Sequence, residues 1–321
     1  MGINVVRYEE SGNSRWGVLK DSLVYPVNGI YETLSSFLQN GLDEANETLT
    51  NGQNGVSYEV LKLLSPVTTP AQIVCQGANY SAHREEAGLQ AAKPPFNLIF
   101  TKAPSSISGP NDDIKSPAHV KLLDYEIELG LVIRKEINNE VQVTTDNFHD
   151  YIAGFVITND VSARDVQFTE GQWFKGKSYR TFCPVGPILY LFDKDETPYL
   201  HQLQLTLSVN GEVRQSAVTE QLLFKPEETL NELSQLLSFY PGDLLLTGTP
   251  GGVALKLTPE DLDQLSNPFA KLDQKITRLN DSQESNSKYL KNGDVVKCQI
   301  KSLDGHIDLG VQETHVTFLS E

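Results

Sequence analysis

Apolar and polar positions alternate in short runs along most of this chain. Near the N-terminus, "INVVRY", "WGVLK" and "LVYPV" are strand-length apolar segments, and "IYETLSSFLQN" has helix-like spacing. Residues 1 to 69 therefore predict a small α+β unit. "LLSPVTTPAQ", with two prolines and two threonines, reads as the connection to a larger part spanning residues 70 to 321. There strands dominate: "AQIVCQG", "FNLIFTK", "DYEIELGLVI", "YIAGFVITND", "GPILYLF", "LQLTLSVNGEVRQ", "DLLLTG" and "DVVKCQI". Asn210-Gly211 inside "SVNGEV" predicts a hairpin, because Asn-Gly supplies both positive-φ positions of a type I′ turn. Helices are few: about 82 to 90, 145 to 150, and 226 to 239, the last opened by Pro226 and acids. The pattern is β-rich α+β rather than an alternating βαβ series. Residues 258 to 290 are polar, lie between two strand signals, and read as an insertion, part helical and part mobile loop.

Composition narrows the picture. With 321 residues, 39% hydrophobic and 21% charged, the chain can bury a large core and is neither disordered nor fibrous. Twenty-six Lys and Arg against 42 Asp and Glu leave a net charge of −16, which argues against nucleic acid as a partner. A carboxylate substrate would then need local cations. Cys75, Cys183 and Cys298 are odd in number and form no CxxC, as expected of reduced thiols. "MGINVVRYEE" has no apolar signal core, Val6 stands where a myristoylation motif needs Ser or Thr, and no apolar run approaches the ~20 residues of a membrane span. A cytoplasmic location without membrane contact is the expectation.

"DYEIELGLVI" carries the chemistry. In an extended chain Asp124, Glu126 and Glu128 share one face, and like charges there repel unless a cation lies between them. Asp160 ends the later apolar strand of "AGFVITNDVSARD". Three carboxylates would suit a hard cation such as Mg²⁺ or Mn²⁺, although spacing alone favours a solvated acidic face. Gly171 to Ser178, "GQWFKGKS", satisfies GxxxxGK[ST], but Trp173 and Phe174 fill what should be a loop of small residues, and two prolines follow. Neither GxSxG nor HExxH occurs.

"QIVCQGANYSAHREEAG", "DYEIELGLVI", "GFVITNDVSARDVQ", "GQWFKGKS…TFCPVGP", "PGDLLLTGTPGGV" and "YLKNGDVVKCQI", in this order and spacing, resemble the fumarylacetoacetate hydrolase family over roughly residues 70 to 310. The resemblance implies a mixed β-roll with a small N-terminal domain, as a homodimer. It implies a metal held by Glu126, Glu128 and Asp160, with Asp124 and Tyr125 in the strand but not ligands. It places His83 and Glu86 as a catalytic pair within the family's "GxNYxxHxxE" pattern, which includes Tyr80, and Lys177 as the catalytic lysine. Arg164, Gln167 and Thr249 match substrate-binding positions. One departure stands out: K-S-x-D in the family is Lys177-Ser178-Tyr179-Arg180 here, so Arg180 could pair with a second substrate carboxylate.

These positions imply an enzyme acting on a 2-oxo acid through a metal-stabilised enolate. The leading expectation is carbon–carbon hydrolysis or decarboxylation, with a water activated by His83 under the orientation of Glu86. A hydratase or enol–keto isomerase of an unsaturated dicarboxylate, and a silent carboxylate binder, are the alternatives. A segment carrying His83 and Glu86 could close as a lid.

Overall fold

The run of apolar residues in "IELGLVI" dictates a strand buried on both faces, and Ile127–Ile133 has that place. It lies between antiparallel neighbours Ile152–Asn159 and Leu244–Leu246 in the computed structural model, which describes residues 2–320. The sheet continues beyond Leu244–Leu246 to Ile73–Gly77, in parallel, and then to Leu98–Lys102 at one edge. In the other direction Ile152–Asn159 pairs with Ile188–Leu191, which pairs with Ile3–Glu10. The strands Asn13–Lys20, Leu23–Pro26 and Val56–Ser57 extend it further, and Lys62–Leu64 also joins Ile3–Glu10. Sheet hydrogen bonding therefore crosses the domain boundary expected near residue 69. The N-terminal residues Trp16, Leu34 and Phe37 share one apolar cluster with Val132, Val156 and Leu244 on that sheet.

A second sheet of five strands runs Glu212–Val218, Leu203–Val209, Val295–Ser302, Asp308–Phe318 and Ile114–Ser116. Leu205, Leu207, Val296 and Ile300 on its inner face meet Leu129, Leu131 and Phe155 of the first sheet in the main core. Alternating burial along Leu203–Val209 follows from this one-sided packing, while the central strand is buried throughout. The fold is β-rich and mixed, as the sequence indicates. Asn210 and Gly211 both have positive φ, 51° and 83°, and turn the expected hairpin.

The helices expected at 82 to 90 and 226 to 239 are Ser81–Glu86 and Pro226–Leu236, whereas 145 to 150 holds only the short turn Phe148–Asp150. The segment 258 to 290 forms two helices, Pro259–Ser266 and Leu272–Gln283. Thr258 caps the first by accepting the Asp261 N–H at 3.1 Å. Leu265 and Leu279 bury themselves with Val253, Leu255 and Leu257, and Phe168 packs on this cluster. The helical part expected of this segment is thus two docked helices, because a few apolar residues at helical spacing suffice to bury one face.

Candidate active site

The register between two neighbouring strands creates the site. Ile127 faces Asn159, and the Asp160 N–H donates to the Glu126 carbonyl at 2.8 Å, so Glu126, Glu128 and Asp160 converge at adjoining strand ends. Each offers a carboxylate oxygen within 4.8 Å of the others, and all three are buried. The repulsion evident in the sequence is answered by side-chain cations. Lys177 Nζ donates to Glu126 Oε2 at 2.8 Å and Asp160 Oδ2 at 2.5 Å. Lys102 Nζ donates to Asp160 Oδ1 at 2.5 Å, and Arg164 Nη2 donates to Glu126 Oε1 at 2.6 Å.

Glu128 differs. Its carboxylate accepts the Gly248 N–H at 2.6 Å, but among the described residues it has no lysine or arginine ion-pair partner. Burial, followed by the charges of Asp160 and Glu126, pushes this carboxyl well above the usual range. Burial also acts to raise Glu126, but Lys177, Arg164 and His83 outweigh it and hold that carboxyl low. Burial alone would lower Lys177 and Arg164, yet their acidic partners keep both raised and charged. An oxygen-only cluster with one carboxylate short of a counter-charge fits a hard divalent cation.

Asp124 is not one of the converging acids. It accepts from Arg164 Nε at 2.8 Å, Ala254 N at 2.8 Å and Leu255 N at 3.0 Å, thereby fixing the guanidinium and the loop after the Gly-rich turn. Thr249 donates to the Ile127 carbonyl at 2.9 Å and accepts from Gln215 Nε2 at 2.7 Å. Gln215 also accepts the Ile127 N–H at 3.0 Å, so it ties this turn to the acidic strand.

A narrow cavity of about 60 Å³ opens onto the cluster. His83, Glu126, Arg164, Gln167, Lys177 and Thr249 line its polar side, and Phe100, Phe168, Trp173, Leu89, Leu255 and Leu262 its apolar side. Gln167 accepts from Arg164 Nη1 at 2.9 Å. Burial lowers His83 to about 4, so its imidazole is neutral near pH 7. Its Nδ1 has no hydrogen-bond partner and stands 4.0 Å from Glu86 Oε2. Glu86 instead accepts the Gly252 N–H at 2.9 Å and 3.0 Å, so the expected orienting bond to His83 is not made.

Tyr80 is buried with an unpartnered hydroxyl and lines a neighbouring groove rather than the cavity. Arg180 is exposed and does not line the cavity, contrary to the substrate-binding role expected for it. Lys177, at the end of the short helix Trp173–Lys177, is buried, and Ser178 and Tyr179 after it still engage the interior before Arg180 reaches the surface.

Two residues escaped the sequence reading. Lys102 ends an ordinary edge strand, with no local signal that its ammonium is buried. Gln215 had one: it is a buried polar residue in a strand where Val213 is 59% exposed, a reversal of the usual inside-outside pattern.

The family model described as fumarylacetoacetate (FAA) hydrolase C-terminal matches residues 72–317. An oxaloacetate tautomerase of Rattus norvegicus, Fahd2a, named as mitochondrial, is 37% identical over 276 residues, covering 85% of this chain and 77% of its own. Among solved structures, a fumarylacetoacetate hydrolase of Exiguobacterium antarcticum shares 28% identity with a TM-score of 0.71, covering 99% of this chain and 100% of its own. A maleylpyruvate hydrolase of Sphingobium sp. SYK-6, solved with manganese (II) and pyruvate, shares the fold at 22% identity and a TM-score of 0.71, covering 99% of this chain and 100% of its own.

Proposed function

The chain belongs to the fumarylacetoacetate hydrolase family, whose members are enzymes acting on oxo acids, and from that premise we propose that it is a divalent-metal-dependent keto–enol tautomerase of a small 2-oxo acid. One observation carries the reading: a neutral imidazole and a charged ammonium, His83 and Lys177, line the same narrow cavity. Enolisation needs a base for the proton on the carbon beside the carbonyl and a donor for the oxygen that becomes the enol.

His83, kept neutral by burial, takes the C3 proton. Lys177 and Gln167 stabilise the enolate oxygen by hydrogen bonds, and the proton taken up by His83 is handed to that oxygen, which makes the enol and restores the neutral imidazole. One C–H bond breaks and one O–H bond forms, and reversal at the same groups restores the ketone. Mg²⁺ or Mn²⁺ held by Glu126, Glu128 and Asp160 would supply Lewis-acid stabilisation of the developing negative charge. The apolar wall of Phe100, Trp173 and Leu255 excludes water and strengthens these interactions.

Hydrolytic carbon–carbon cleavage, a leading expectation from the sequence, additionally requires a water activated by His83 under the hold of Glu86. Glu86 binds the Gly252 amide and stands 4.0 Å from His83 Nδ1, and on that ground we place tautomerisation ahead of hydrolysis. Three buried free thiols support a reducing compartment such as the cytoplasm, and the family resemblance supports a homodimer, to be checked by light scattering.

The test adds enolised oxaloacetate to chelator-treated protein, to protein with Mg²⁺ or Mn²⁺ restored, and to Glu126→Gln. Enol absorbance and pyruvate are followed together. Metal-dependent loss of enol without pyruvate, abolished in the variant, is the expected result. Stoichiometric pyruvate would establish decarboxylation instead, and neither change would sink the reading.

A further inference from the structure

The helix Pro259–Ser266 belongs to the segment that stands out in sequence as an insertion, yet it reaches the catalytic cavity. Leu262, on this helix, is part of the cavity wall, beside Leu255 and Phe168 of the same apolar cluster. The start of the insertion also clasps the segment carrying His83. The Leu257 N–H donates to the Glu86 carbonyl at 2.8 Å. A Cβ on Gly88 would come within 2.8 Å of the Thr258 carbonyl oxygen, so the two chains touch backbone to backbone there. The helix is itself anchored: Arg278 of the following helix pairs with Asp261, and Gln283 Nε2 donates to the Lys256 carbonyl at 2.7 Å.

Arg164, Gln167 and Lys177, the polar groups that would hold the 2-oxo acid head, line the same cavity as Leu255, Leu262 and Phe168. The enclosed part of the cavity measures only about 60 Å³, so a substrate longer than its head has to run along this apolar lining.

We propose that Leu262, delivered by the inserted helix, is the residue that limits the length of the substrate beyond its 2-oxo acid head, restricting this enzyme to short 2-oxo acids. The inference rests on the proposed 2-oxo acid reading of the site. Leu262 is only partly buried, so shortening it enlarges the cavity without emptying the core. Leu262→Ala removes three side-chain carbons at the wall. Each methylene of ligand newly accommodated tightens binding about four-fold, or roughly fifty-fold for three.

The experiment measures dissociation constants by calorimetry for straight-chain 2-oxo acids, from pyruvate to 2-oxooctanoate, on the full-length Mn²⁺-loaded protein. Wild type, Leu262→Ala and Leu262→Phe are compared, each long acid being expressed relative to pyruvate on the same protein. Wild type should lose affinity beyond a short chain length, Leu262→Ala should move that limit to longer acids, and Leu262→Phe should move it to shorter ones. Opposite shifts in two variants cannot come from a common folding defect. The same limit in all three proteins, or a uniform weakening in Leu262→Ala, would overturn the role of Leu262 and leave the 2-oxo acid reading standing. Absence of binding by pyruvate and every homologue to the wild type would overturn both.

Discussion

Lys102→Met tests the electrostatic account of the site most directly, because Lys102 was invisible in the sequence and its ammonium meets Asp160, with one further, longer bond to the Val161 carbonyl at 3.4 Å. Its Nζ lies 2.5 Å from Asp160 Oδ1, and both side chains are fully buried. Four buried carboxyls, Asp124, Glu126, Glu128 and Asp160, meet three buried cations, Lys102, Arg164 and Lys177. Burial and the neighbouring acids push the Glu128 carboxyl up, so the three cations offset chiefly the other acids. Methionine fills similar volume but leaves Asp160 Oδ1 without its buried ion-pair partner. Removing one partner of such a pair costs about 3–5 kcal/mol, a fall of about 4–7 °C in Tm for a chain of this size. A divalent cation held by Glu126, Glu128 and Asp160 would replace the lost positive charge. Saturation stabilises both proteins, so the deficit narrows by as much as the variant binds the ion more tightly than wild type, and Mn²⁺ should therefore shrink it. The assay is thermal unfolding of wild type, Lys102→Met and the exposed-site control Lys115→Met, in chelator and in excess Mn²⁺. A Tm for Lys102→Met equal to wild type in chelator, or a deficit that Mn²⁺ leaves unchanged, would refute the reasoning.

Three further predictions follow from other parts of the structure. Gly252 has φ +105° and a Cβ there would sit 1.9 Å from the Arg214 carbonyl oxygen, so Gly252→Ala should cost more than about 3 kcal/mol by urea unfolding; a loss below 1 kcal/mol would contradict it. In the metal-free protein His83 takes up a proton near 6.5 when unfolded but only near 4 when folded, so its neutral form stabilises the fold fully above pH 6.5 and progressively less as pH falls to about 4. The total is about 3 kcal/mol, and His83→Gln should flatten that part of the urea-midpoint profile; parallel profiles would exclude the assignment. Arg180 is exposed and outside the cavity, so Arg180→Ala should leave KM for mono- and dicarboxylic 2-oxo acids alike, whereas a selective rise for the dicarboxylic acid would restore its recognition role.

The sequence by itself determined what depends on neighbours along the chain. Strand periods, the Asn210-Gly211 turn, the Pro226 helix start and the apolar run "IELGLVI" are all local, and each appears where its pattern placed it within a few residues, whereas Asp124 falls on a separate short strand, Leu123–Asp124, and leaves the other acids. The resemblance of six motifs in order supplied the ligand triad and the inward lysine, which spacing alone left open against a solvated acidic face. Tertiary structure decided everything that pairs residues far apart. Lys102 meets Asp160 across 58 positions, and Gln215 meets Ile127 across 88. Such contacts are fixed by sheet register, which no short window encodes. The same holds for Glu86, whose carboxylate serves the Gly252 amide 166 residues away rather than His83 three residues before it. The insertion shows the division most plainly. Its Thr258-Pro259 start was a readable helix signal, but that Leu262 would end up in the cavity wall was settled by which surface its apolar face had to cover.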